Sequence, residues 1–184
     1  MIWEVLTIFG DWLLWVGIVL FLLLFSFLIS KKRRKYVILL SFSILSAVII
    51  SSAIVYGLKL LFKIPRPCLG LPYCPGDYSF PSNHAAVIFA VVTTSAFYIK
   101  DKRFSLLLFA FAVLVATSRL VLNVHRLEDV LVGCLIGIII GVLIKKYSKS
   151  IQNIWGSRDL NSGHEVFLEQ PEPRILDQTR LLPR

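Results

Sequence analysis

VILLSFSILSAVIISSAIVYGL, residues 37–58, runs from end to end without a charged side chain. An α-helix rises ~1.5 Å per residue and the hydrocarbon of a bilayer is ~30 Å thick, so ~20 such residues cross it. This stretch has that length, and its helix is expected to continue to about Phe62. Working outward, four further runs read the same way: residues 12–29, 81–99, 104–122 and 128–144. Trp12 and Trp15 stand where interfacial anchors of the first run would stand. The expectation is an all-α fold, a polytopic membrane bundle of about five transmembrane helices.

Composition agrees. Of 184 residues, 57% are hydrophobic and 17% charged, and mean hydropathy is +0.76. A soluble domain has an apolar share of ~45–50%. A net charge of +9 raises the question of nucleic acid, but the basic residues fall between apolar runs instead of interleaving along a polar face. No nucleic-acid partner is expected, and the charge reports topology. Three cysteines without a CxxC pair carry no zinc or thioredoxin signal, and Cys134, inside an apolar run, reads as a packing residue. The first run is too long for a signal-peptide core and precedes its basic cluster, so it is read as retained.

Lys and Arg are retained on the cytoplasmic side. The clusters at 31–35, 100–103 and 145–149 close one face, which is therefore expected to be cytoplasmic. The remaining connections and the N-terminus then lie outside, and residues 1–10, with Trp3 and Phe9, are expected as a short interfacial helix. Residues 1–149 form the membrane domain. Beyond it, 150–184 is rich in Glu, Pro, Arg and Gln and is expected to be a disordered cytoplasmic tail. No repeat, Walker loop, GxGxxG or glycosylation sequon is present.

The polar chemistry collects at the external helix ends. Lys59 lies on the last turn of the second run, and Arg66 follows between Pro65 and Pro67, which end the helix and stiffen the chain. Read alone, these are two cations snorkelling at a membrane edge. Phe80-Pro81-Ser82-Asn83-His84 opens the third run. Pro81 starts the helix, Ser82 and Asn83 cap it, and free N–H groups with the positive dipole end face any arriving anion. His84, on the first turn, is placed to give a proton to a leaving oxygen. The plainer reading is a capped helix with a solvated imidazole. Ser118-Arg119 comes next, and Arg119 is the only charge in 104–124, costly at that depth unless it pairs or binds an anion. His125 and Asp129 are four apart, so on one helix face the carboxylate orients one ring nitrogen and leaves the other free. Here the plainer reading is Asp129 as a helix cap and His125 as a loop residue.

An even number of crossings separates successive clusters, so all three lie on one side. Lys59-x6-Arg66-Pro67, Pro81-Ser82-Asn83-His84 and Ser118-Arg119-x5-His125-x3-Asp129 resemble, in order, spacing and residue type, the three-part signature of the type-2 phosphatidic acid phosphatase (PAP2) family, within the acid phosphatase and vanadium haloperoxidase superfamily. The resemblance covers about residues 55–144. Asn83 stands where the family mostly has Gly, and Asn123 near another such Gly; Asn keeps its N–H and tolerates unusual φ.

The resemblance implies a mechanism. His125 attacks phosphorus and forms a phosphohistidine, Asp129 orients it, His84 protonates the leaving oxygen, and water then releases phosphate. Lys59, Arg66, Ser82, the Asn83 N–H and Arg119 hold the non-bridging oxygens. It implies no metal and no other cofactor, and Asp77, Glu128 and Asp129 are too few and scattered for a two-magnesium site. The external loops are short, so a membrane lipid phosphate entering sideways from the bilayer is the expected substrate. Small members with little beyond the core resemble prokaryotic undecaprenyl or dolichyl diphosphate phosphatases, which places that substrate ahead of phosphatidate and phosphatidylglycerophosphate. A transporter would need ionisable residues continuing through the helices, which are absent at mid-depth. The catalytic set argues against a silent scaffold, and a vanadate-dependent oxidase would be soluble. Cys68 and Cys74 share one external loop, where a disulfide and two free thiols are both open readings. Oligomeric state is not specified by these features.

Overall fold

The computed structural model describes residues 2–99 and 101–160. Among the described residues the fold is all helical: α1 (Ile2–Ile8), α2 (Trp12–Phe25) continued by a 3-10 turn (Ser26–Leu28), α3 (Lys31–Phe62), α4 (Asn83–Ala96), α5 (Lys102–Val121) and α6 (Leu127–Leu160). Each run expected to span is helical. Three helices are long and apolar enough to cross a membrane: Arg33–Phe62 within α3, Lys102–Val121 and Leu127–Ser148 within α6. The pair α1 and α2 passes that test together but is bent by 56° at its break, and α4 is a shorter apolar helix. The architecture thus supplies three spans, or four if the bent pair is one.

Local chemistry sets the ends. Asp11 accepts a hydrogen bond from the Leu13 N–H at 2.9 Å and starts α2, and Asp101 does the same for α5 through Arg103 N–H at 2.8 Å. At its other end α3 closes on Lys63, a left-handed residue (φ 49°) whose N–H returns to the Lys59 carbonyl at 3.0 Å. Large apolar side chains on the outside, among them Phe21 (65% exposed), Leu24 (71%) and Leu106 (71%), are untenable in water but match a lipid solvent.

At 14 residues, α4 is ~21 Å long, short of the ~30 Å core. Length is not demanded of it, because it is enclosed: Ala85 through Thr94 are all buried. Its faces feed three clusters, with Ala112, Val115 and Ala116 of α5, with Val19 of α2 and Ile44 and Val48 of α3, and with Ala47 and Ile140. Against α6 the approach is backbone to backbone. A Cβ on Gly137 would lie 2.4 Å from the Ala86 carbonyl oxygen, and one on Gly133 2.5 Å from that of Ser82. Small residues at this four-residue spacing let membrane helices pack closely. The contact fixes the N-terminus of α4 beside the start of α6, the feature on which the site depends.

Residues Met1–Lys149 form one compact unit and Ser150–Arg184 another. The tail expected to be irregular after Lys149 begins as helix, since α6 runs to Leu160. Extending a nucleated helix costs little, and no proline interrupts until Pro171. Residues 161–184 lie outside the described residues.

Candidate active site

The chain between α3 and α4 is tied at both ends. Cys68 and Cys74 are disulfide-bonded with Cα atoms 5.5 Å apart, and the Ser79 N–H donates to the Ile64 carbonyl at 2.8 Å. Phe80-Pro81 is cis. Arg66 is carried inward by this loop and is only 7% exposed. Its Nη1 donates to the Val124 carbonyl at 2.9 Å and lies 3.0 Å from His125 Nε2. Its Nε and Nη2 reach Asp77 Oδ1 at 3.1 and 2.6 Å. Lys59, also buried, holds Asp77 Oδ2 at 3.0 Å and donates to the Tyr78 carbonyl.

The turn joining α5 to α6 carries the other half. Asn123 takes a left-handed φ of 54°, which Asn accepts more readily than most residues. The turn is closed by Val124 N–H on the Arg119 carbonyl at 3.2 Å, which brings His125 back under the last turn of α5. His125 is 3% exposed, and its Nδ1 lies 3.4 Å from Asp129 Oδ2. That is long for a hydrogen bond, and Nδ1 makes no closer one, but the carboxylate is aimed at it. Asp129 is fixed by the Arg126 N–H at 2.9 Å and by the Ser79 hydroxyl, both on Oδ2. Its carbonyl accepts from the Ser82 N–H at 2.9 Å, linking the openings of α4 and α6.

These elements enclose a cavity of about 210 Å³ lined by Asp11, Trp12, Arg66, Pro75, Asp77, Asn83, His84, Arg119 and His125. Arg66, Asn83, His84, Arg119 and His125 therefore meet around one space. Lys59, Ser82 and Asp129 stand behind its wall: Lys59 on Asp77, Asp129 on His125, and Ser82 as the α4 cap, its Oγ accepting from Ala85 N–H at 3.5 Å. Arg119 is 6% exposed, and its Nε has no hydrogen-bond partner among the described residues. A buried guanidinium with an open donor over a polar cavity is a place for an anion.

Burial pushes His125 down to about 4, reinforced by the charges of Arg66, Arg119 and Lys59 and opposed by Asp129. At neutral pH its ring is uncharged, and with the proton on Nδ1 facing Asp129 the Nε2 lone pair accepts from Arg66 Nη1. Burial would raise the Asp77 carboxyl, but hydrogen bonds and charge from Lys59 and Arg66 outweigh it and hold the group below the usual carboxylate range.

Some contributors were not singled out from sequence. Ser79 holds Asp129 from fifty residues away in sequence, and Asp77, considered only as a metal ligand, binds two cations. Gly10 is buried with its Cα beside His84; a Cβ there would sit 2.7 Å from His84 Cβ. The bend after α1 therefore forms a wall of the cavity, held by Trp15 Nε1 on the Phe9 carbonyl at 2.7 Å and by Phe9 edge-on to Phe111 at 5.1 Å. Trp12, read as an interfacial anchor, lines the cavity as well.

A cavity lined by cations and imidazoles among apolar membrane helices defines the class: a multi-pass membrane protein with a polar site between its helices. The chain belongs to the PAP2 superfamily, whose family model matches residues 36–152. It is 31% identical over 134 residues to an undecaprenyl-diphosphatase of Sulfolobus acidocaldarius, a match covering 72% of this chain and 62% of that relative's length. The crystal structure of Aquifex aeolicus LpxE is similar at a TM-score of 0.60 and 31% identity, covering 79% of this chain and 84% of that one. The fold is also that of a transmembrane PAP2 type phosphatidylglycerolphosphate phosphatase from Bacillus subtilis, with TM-score 0.68, 22% identity, and coverage of 82% and 76%.

Proposed function

We propose that this protein is a membrane lipid-phosphate phosphatase that hydrolyses a polyprenyl diphosphate to the monophosphate and inorganic phosphate through a phosphohistidine. The observation that carries the reading is His125: a neutral imidazole with Nε2 on the cavity, Arg66 Nη1 3.0 Å from that nitrogen, and Asp129 behind the other. Nε2 attacks the terminal phosphorus, and the bond to the bridging oxygen breaks. His84, protonated when the diphosphate anion is held beside it, gives that oxygen its proton, and the polyprenyl monophosphate leaves. Water then attacks the phosphohistidine, deprotonated by the same His84, and His125 and phosphate are regenerated. Asp129, held by Ser79 and the Arg126 N–H, stabilises the charge that His125 acquires.

Arg66, Arg119 and Lys59, with the Asn83 N–H and the Ser82-capped start of α4, compensate charge on the non-bridging oxygens. This is the service that metal ions give in other phosphoryl transfers, so catalysis is expected without one. The Sulfolobus relative supports the polyprenyl diphosphate as substrate. Basic clusters at the opposite helix ends support five crossings and a site on the extracytoplasmic face, and the short connections on that face support substrate entry from the bilayer.

Purified in detergent, the protein is expected to release phosphate from a polyprenyl diphosphate in EDTA, faster than from polyprenyl monophosphate, phosphatidate or phosphatidylglycerophosphate. Loss on chelation would refute the metal-free mechanism, and a different best substrate would reassign the lipid. The pH profile gives a second check. Because the nucleophile is deprotonated above about 4 in the free enzyme, the acid limb of kcat/KM assigned to His125 is expected near that value. An acid limb at the ordinary histidine value of ~6.5 would mean that His125 is not desolvated as described.

A further inference from the structure

All three nitrogens of the Arg66 guanidinium are engaged within the protein. Nε and Nη2 are on Asp77 Oδ1, Nε also reaches the Asp77 carbonyl at 3.1 Å, and Nη1 is shared by the Val124 carbonyl and His125 Nε2. The second carboxylate oxygen of Asp77 is on Lys59 at 3.0 Å. One anion thus spans both cations, one oxygen to each. Two non-bridging oxygens of a phosphate would seek the same fork and the same ammonium. The two anions also repel each other, so both cannot hold the pair at once.

We propose that Asp77 is a positioning residue that competes with the phosphate group for Lys59 and Arg66, a tethered stand-in that yields when the phosphate arrives. The inference rests on the reading of this cavity as the phosphate site. Asymmetric exposure supports it: the side chains of Lys59 and Arg66 are each 6% exposed, that of Asp77 53%. The cations are fixed in the wall, and the carboxylate is the member with solvent to retreat into. The retreat is one of the side chain, since Arg66 and Lys59 also hold the Asp77 and Tyr78 carbonyls and keep the backbone in place. Cys74 is anchored by the disulfide and Ser79 by Ile64 and Asp129, so residues 75–78 form a short segment between two fixed points. Gly76 lies within it and has open space where a Cβ would be.

The consequence is a weakened hold on phosphate, product included. If Asp77 occupies the pair about nine-tenths of the time, apparent phosphate affinity is about tenfold below that of the bare cations. Asp77 also offsets the repulsion between the two buried charges and keeps them aimed while no phosphate is held.

The test is competitive inhibition by inorganic phosphate in the full-length protein in detergent, with a polyprenyl diphosphate as substrate. Asp77→Asn keeps the shape and removes the charge, and it is expected to lower both the phosphate Ki and KM by about tenfold. Asp77→Glu restores the charge and is expected to bring both back toward the wild type. A Ki that is unchanged or raised in Asp77→Asn would overturn the proposal, since a merely structural tie would loosen the cations and weaken phosphate. If Asp77→Asn does not fold, Asp77→Ser is read in its place, and loss of fold in both would make Asp77 a structural tie and likewise overturn the proposal. Wild-type protein that does not hydrolyse the lipid would instead refute the functional reading.

Discussion

Alanine at His125 is expected to abolish phosphate release, with a loss on the order of 10⁴-fold or more, while the elution profile stays that of the wild type and the thermal midpoint falls by only several degrees. The size follows from the division of labour. Nε2 is the atom that bonds to phosphorus, and among the described residues lining the cavity His125 is the imidazole with a carboxylate aimed at its far nitrogen. His84 shares the cavity, but its ring carbon Cδ2 faces Gly10, and Asp129 belongs to His125. The ring is 3% exposed, so its removal leaves a cavity and costs some stability, yet the helix contacts around α4 are untouched. Activity surviving within tenfold of wild type would remove the phosphohistidine from the mechanism.

Asp129→Asn is the second large effect, expected to lower kcat by about 10²–10⁴-fold with little change in KM. Three groups converge on one oxygen of this side chain: the Ser79 hydroxyl, the Arg126 N–H and His125 Nδ1. The first two are donors, so an amide must keep its oxygen there. Its neutral oxygen then faces Nδ1 with no charge to offset the developing imidazolium. A comparable carboxylate-to-amide change behind a catalytic imidazole costs ~10⁴ in kcat. Because Asp129 does not line the cavity, substrate binding is spared. A rise in KM with kcat preserved would mean that Asp129 only shapes the pocket.

How much of this was legible in the chain depends on the range over which each signal acts. Hydropathy is a local property, and it located α2 through α6. It did not foresee that α4 would be short and enclosed, because burial against protein and burial against lipid select the same residues. Glycines 133, 137 and 141 mark the close packing of α6 on α4, and their spacing is visible only once the facing backbone is known. Of the site, the residues attached to helix ends were readable: Lys59 on the last turn of α3, His84 on the first of α4, Arg119 on the last of α5, and Asp129 on the first of α6. A helix end fixes the direction of such a side chain. Asp77 and Ser79 sit in irregular chain, where no period assigns direction, and their partners come from elements distant in sequence. The wall made by Gly10, Asp11 and Trp12 was hidden for the same reason, since nothing in residues 1–12 shows that the first bend turns back onto His84.

The central claim, a covalent phosphate on His125, is tested most directly by rapid quenching of the protein mixed with substrate labelled in the terminal phosphate. The expected result is a protein-bound label that is stable to base, labile to acid, carried by the peptide containing His125 and absent from His125→Ala. Turnover that proceeds without any such label at the shortest quench times, or a label on another residue, would contradict the account.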